Sequence, residues 1–88
     1  MFWKKDKLTY EEVAQILEGF LEGRQDRWSW DGFTLGMSFE DPYLEAIRVR
    51  CNGLDSEFPP DKPHHYCNEK GVDVLRGYIR ELRSRNQP

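Results

Sequence analysis

The chain has 88 residues, of which 38% are hydrophobic, 14% are aromatic and 33% are charged, and its net charge is −3. A chain this short forms one domain and buries only about 60% of the surface that its unfolded form exposes. Its three Trp, four Tyr and five Phe exclude a disordered chain. We therefore expect residues 1–88 to form a single domain whose small core depends on every large side chain.

The charge is distributed unevenly along the chain. Residues 1–7 and 69–88 each carry a net +2, whereas residues 8–68 carry −7. An acidic middle region repels nucleic-acid phosphates and favours either a basic partner or simple solubility.

Targeting and redox features of the sequence favour a cytoplasmic location. The first residues lack the apolar run of an export signal, and no stretch approaches the roughly 20 apolar residues of a membrane span. Two cysteines are too few for a disulfide scaffold. We expect a cytoplasmic protein that does not enter a membrane.

The spacing of apolar residues predicts an all-α fold, since apolar positions recur every three or four residues in three segments. No pair of strands is indicated. The three predicted amphipathic helices cover about 10–22, 42–52 and 69–84.

Each predicted helix has a recognisable start. Thr9-Tyr10-Glu11-Glu12 fits a capping box, and Gly23 suits the left-handed residue after the first helix. Asp41-Pro42 combines an acidic cap with proline at the first helical position. Asn68 caps the last helix, and Cys67 and Val72 have the spacing of a hydrophobic staple.

The connection between the first two predicted helices is rich in aromatic residues but has neither a helical nor a strand period. It contains R-W-S-W-D-G-F at 27–33, and we expect at most a short helical turn at 29–33, with a strand at 33–39 as a weaker possibility. Such rings either fill the core or form an exposed binding surface. We favour the core for most of them, with Trp30, rather than Trp28, partly exposed for a partner.

The segment that follows the second predicted helix is rich in proline. Phe58-Pro59-Pro60-Asp61-Lys62-Pro63 cannot be helical, because prolines remove backbone donors and fix φ. We expect an extended crossing over the surface, anchored by Phe58.

Two sets of residues allow alternative functions. Cys51, His64, His65 and Cys67 are residue types that bind zinc, but their spacing matches no familiar site. Buried free thiols are the favoured interpretation, and we expect no metal and no cofactor. A metal-binding or enzymatic accessory role for His64, His65 and Cys67 stays an alternative, as does nucleic-acid binding through Arg76, Arg80 and Arg83 of the last helix.

The leading hypothesis is a non-enzymatic protein–protein interaction domain whose partner is basic. The acidic middle region would steer the encounter, and an aromatic side chain would anchor it. In length, acidity and helical build the chain is comparable to the immunity proteins that inhibit bacterial nuclease toxins, an analogy at the level of fold only. The candidate partner-binding residues are Trp30, Asp31, Glu40, Asp55, Glu57, Asp61 and Tyr66.

Four motifs in order resemble a group of small, functionally uncharacterised bacterial proteins. The motifs are W-S-W-D-G-F, D-P-Y-L-E-A-I-R, F-P-P and Y-C-N-E-K-G, within residues 26–83. The group's pattern is W-x-W-D-x-F, D-P-x-L-E-x-I-R, F-P-P and Y-C-x-E-x-G, and this chain departs from its usual residues at Gly32 and Asn68. The resemblance implies a bacterial, cytoplasmic protein and transfers no activity.

Overall fold

The chain folds into α-helices joined by short connections, which confirms the predicted all-α class. A computed structural model describes residues 7–23, 27–62 and 65–85, with residues 27–29 described by their backbone alone. Within these residues the helices are α1 (Tyr10–Leu21), α2 (Arg27–Gly36), α3 (Pro42–Asn52), α4 (Leu54–Glu57) and α5 (Glu69–Arg85).

The predicted capping box starts α1. Thr9 Oγ1 accepts the Glu12 N–H at 3.0 Å, and the Glu12 carboxylate accepts the Thr9 N–H at 2.8 Å. The helix ends at Leu21, one residue before the predicted end. Gly23 has a φ of 73°, a left-handed conformation that side chains disfavour, so this position needs glycine to turn the chain.

The starts of α3 and α5 are also confirmed. Asp41 Oδ1 accepts the Tyr43 N–H at 2.8 Å, and α3 has the predicted bounds. Asn68 Oδ1 accepts the N–H groups of Lys70 at 3.0 Å and Gly71 at 3.2 Å. These side-chain oxygens satisfy backbone donors that have no partner inside their helix.

The prediction of an irregular connection is wrong for Arg27–Gly36, because these ten residues form helix α2. Neither the short turn at 29–33 nor the strand at 33–39 describes this segment. Gly32 and Gly36 weakened the helical signal, because glycine is a poor helix former. Tertiary packing overrides that weakness, as the buried face of α2 shows.

That buried face consists of Trp30, Phe33 and Thr34, spaced as one side of a helix. The Trp30 ring stacks on Phe20 of α1, with centroids 3.9 Å apart, and lies 5.7 Å from both Phe33 and Tyr66. Trp30 is 0% exposed, so the prediction that it stays partly exposed is wrong. Its Nε1–H finds no acceptor among the described residues. For Trp30 and Phe33, this aromatic cluster confirms the prediction that the rings of the stretch fill the core, whereas the side chain of Trp28 lies outside the described part of the structure.

Helix α1 packs along α5, and one arginine joins their surfaces. The Arg83 guanidinium lies 3.1 Å from Glu11 and 2.9 Å from Glu18. The hydrogen bond from Arg83 lowers the pKa of Glu11 below its ordinary value. We call these three side chains the Arg83 clamp; it joins parts of the chain that lie far apart in sequence.

The proline-rich crossing passes close over the start of α5. Residues 58–62 are not helical, as predicted, and the Phe58 carbonyl accepts the Asn68 N–H at 3.1 Å. A Cβ added to Gly71 would lie 2.7 Å from Cys67 Sγ and 3.2 Å from Phe58 Cβ. A side chain at position 71 would therefore clash with Cys67 and press against Phe58 of the crossing. The short helix α4 before the crossing was not predicted.

Replacing Trp30 with Ala is expected to destabilise the fold by about 3–5 kcal/mol, because it removes the largest buried ring and leaves a cavity. The free energy of unfolding in urea measures this loss. Leu35→Ala, on the exposed face of the same helix, is the control and should change stability by less than about 0.5 kcal/mol. Equal effects of the two substitutions would contradict the assigned burial of Trp30.

The Arg83 clamp is expected to make stability depend on pH. Since the folded state lowers the Glu11 pKa, the ionised carboxylate stabilises the fold above its unfolded pKa of about 4.3, and this contribution is lost as the pH falls through the lowered value. Arg83→Gln should lower the urea midpoint at neutral pH, and its difference from the wild type should shrink towards about pH 3. A difference that is the same at both pH values would contradict the clamp.

Candidate partner-binding surfaces

Carboxylates and a tyrosine meet where α4 lies beside the start of α5. Tyr66 Oη donates to the Cys51 carbonyl at 3.1 Å and lies 3.5 Å from Asp55 Oδ1. Burial raises the pKa of the Cys67 thiol, and the negative charges of nearby Asp55 and Glu69 raise it further. We call Asp55, Tyr66 and Glu69 the acidic corner. No cation among the described residues pairs with either of its carboxylates.

The Tyr66 side chain is held in place by the core. Its ring meets Phe20 and Trp30 edge to face, with centroids 5.4 Å and 5.7 Å apart. Edge-to-face packing and the hydrogen bond to Cys51 fix both ends of the side chain. The half-buried ring therefore presents a rigid edge beside the carboxylates of the acidic corner.

The other predicted partner-binding residues are buried, already paired or on other segments of the chain. Glu57 forms an ion pair with Arg50 at 3.2 Å. Exposed Glu40 lies between α2 and α3, and half-buried Asp31 lies on α2. Asp61 is exposed in the crossing. Trp30 is part of the core and presents no surface to a partner.

Sequence reasoning did not select Glu69, because an acidic residue in the first turn of a helix is expected for helix stability alone.

The two cysteines lie in the interior rather than in an open site. Both are free thiols, and Cys51 is 0% and Cys67 4% exposed. Burial raises the pKa of Cys51 to about 12 and also raises that of Cys67. A raised pKa keeps the thiols protonated, and protonated thiols are poor nucleophiles and metal ligands.

The predicted metal or enzymatic alternative depends on His64, His65 and Cys67. His64 lies outside the described residues, whereas His65 is exposed and Cys67 is buried. In residues 7–23, 27–62 and 65–85, no three His, Cys, Asp or Glu side chains are grouped so that they could hold a metal ion.

The arginine row of α5 borders a groove against α1. The groove has a volume of about 440 Å³, and its floor contains Leu21 and Ile79. Arg83 is engaged in its clamp, and Arg76 lies 3.7 Å from Asp73. Two acidic side chains also line the groove: Glu18 of α1 and Glu22, which follows the end of α1. Of the row, only Arg80 has no acidic partner in the described part of the chain.

Two large apolar side chains are exposed on the neighbouring helices α2 and α3. Leu35 is 67% and Val49 55% exposed. Sequence reasoning missed both, because Leu35 was assigned to an irregular connection and Val49 lies on the face of α3 opposite its buried stripe.

No protein-family model, curated protein or solved structure matches this chain. The resemblance to the bacterial group therefore stays a prediction. None of the helices in the described ranges is long and apolar enough to cross a membrane.

Both thiols are expected to resist a thiol reagent such as DTNB in the native protein, because each is buried and has a raised pKa. Absorbance should report little reaction without denaturant and two thiols per chain in guanidinium. Rapid reaction of one thiol under native conditions that is lost in Cys67→Ser would show that Cys67 is open to solvent and would revive its predicted chemical role.

Proposed function

We propose that this chain is a non-enzymatic protein-binding domain that takes a basic partner at the acidic corner. The narrower form of the proposal is an immunity-type inhibitor, which would cover the basic active surface of its partner. Both forms are supported by the net charge of −7 over residues 8–68, a region that contains Asp55 and Tyr66 and ends next to Glu69.

The observation that carries the proposal is that Asp55 and Glu69 both lie near Cys67, with Asp55 3.5 Å from the hydroxyl of the fixed Tyr66 side chain. Carboxylates without a paired cation in the described structure keep their charge available to a partner. Acidic surfaces accelerate encounter with basic proteins and set the register of the complex. A rigid, half-buried tyrosine supplies contact area at little entropic cost, which is typical of interface anchors.

Two features weigh against the nucleic-acid alternative. In the arginine row, Arg83 is neutralised by two carboxylates and Arg76 lies near Asp73. The groove beside the row is lined by Glu18 and Glu22 as well as by arginines, so its surface is not uniformly basic. The acidic corner, in contrast, combines a single sign of charge with an aromatic edge.

Neutralising the corner is expected to abolish partner capture. The test immobilises the folded chain, applies a lysate of its source cells at low salt, and identifies retained proteins by mass spectrometry. Wild type should retain a basic protein that elutes as salt rises, because salt screens exposed charges. Asp55→Asn/Glu69→Gln should lose that protein.

The matched control is Glu22→Gln/Glu81→Gln, which changes the net charge equally at exposed positions outside the corner. It should retain the partner. Failure of the wild type to capture any basic protein would contradict the proposed function, and equal loss in both variants would contradict its assignment to the corner. Tyr66→Ala should weaken capture by roughly tenfold or more if the ring is an anchor.

A further inference from the structure

The proline-rich crossing presents two adjacent proline rings to solvent. Pro59 and Pro60 are both exposed, and half-buried Phe58 precedes them. Asp61 and Lys62, which follow, are exposed and carry opposite charges, so the crossing adds no net charge to the surface. The proposed function does not yet assign a role to these prolines.

The backbone at the two prolines has little freedom. A proline ring fixes φ, and a residue that precedes a proline avoids the helical region. Both restrictions apply to Pro59, and the second applies to Phe58, which has φ −129° and ψ 76°. The prolines themselves are neither helical nor bent. A segment restricted in this way loses little conformational entropy when a partner binds to it.

Two backbone hydrogen bonds of Phe58 hold the start of the crossing next to the acidic corner. Its N–H donates to the Leu54 carbonyl at 2.8 Å, and Leu54 directly precedes Asp55. Its carbonyl accepts the Asn68 N–H at 3.1 Å, and Asn68 directly precedes Glu69. The two prolines follow Phe58 at once, so they leave the fold beside the residues that carry both carboxylates.

Prolines and carboxylates recognise different groups on a partner. Exposed proline-rich segments dock against aromatic side chains, and their restricted backbone favours this mode of binding. Carboxylates bind guanidinium or ammonium groups through charge-assisted hydrogen bonds. A partner that meets both features at once carries an aromatic residue close to its basic residues.

We infer that the exposed prolines and the acidic corner form one binding surface, on which an aromatic side chain of the basic partner packs against Pro59 and Pro60. The inference rests on the proposed function, because it names a second contact made by the same partner. The carboxylates attract basic partners in general, and the prolines select those with an aromatic ring beside their basic residues.

Two short peptides that differ at one position test the inference. Both are acetylated and amidated, and their sequences are R-R-W-R-R and R-R-A-R-R. Proton–carbon NMR of the labelled, folded chain follows their titration at low salt. The tryptophan peptide is expected to bind about two- to tenfold more tightly, which is the usual effect of one aromatic contact. It should also move the side-chain proton resonances of Pro59 and Pro60 upfield, because an aromatic ring shields protons that lie over its face.

Replacing the prolines should remove the preference for tryptophan. Pro59→Ala/Pro60→Ala is expected to bind both peptides equally, because alanine has neither the ring nor the restricted backbone. Pro42→Ala replaces the exposed proline at the start of α3 and is the matched control, which should keep the preference. The upfield shift is measured on the wild type, so it tests the contact even where a variant is less stable.

The outcomes separate this inference from the proposed function. A wild type that binds both peptides equally, or a double proline variant that keeps the preference, would overturn the inference and leave the proposed function standing. The proposed function is contradicted, and the inference with it, where neither peptide binds or where Asp55→Asn/Glu69→Gln binds both peptides as tightly as the wild type.

Discussion

The stacking of Trp30 on Phe20 is the contact on which the rest of the fold depends. It joins α1 to α2, and through Tyr66 it reaches the segment that leads into α5. An 88-residue chain has little core volume, so one indole supplies a large share of the buried apolar area. The cost is an indole N–H without an acceptor in the described structure, which the packing of the ring must offset.

The same cluster connects the core to the surface. Tyr66 packs its ring against Trp30, while its hydroxyl reaches Cys51 and the neighbourhood of Asp55. The position of the acidic corner is therefore set by core packing rather than by the mobility of a loop. Preorganisation of this kind lowers the entropic cost of binding, so few contacts can give a specific complex.

The sequence was most informative where local chemistry decides structure. The caps at Thr9, Asp41 and Asn68 were all recognisable, because each depends on a side chain and backbone groups within three residues. Helix α2 was not recognisable, since its stability comes from burying Trp30 and Phe33 against distant helices. Of the proposed acidic corner, Asp55 and Tyr66 were selected from the sequence as a charge and an aromatic ring, whereas Glu69 was added only from its position in the fold.

The two glycines inside α5 stand under opposite demands. Both weaken the helix by roughly 1 kcal/mol relative to alanine. Nothing lies within 4 Å of a side chain added at Gly77, whereas Gly71 faces the sulfur of Cys67 and the Cβ of Phe58. A larger residue can therefore replace Gly77 during evolution without a steric clash. At Gly71 the same replacement would also require substitutions at Cys67 and Phe58 that make room for the new side chain.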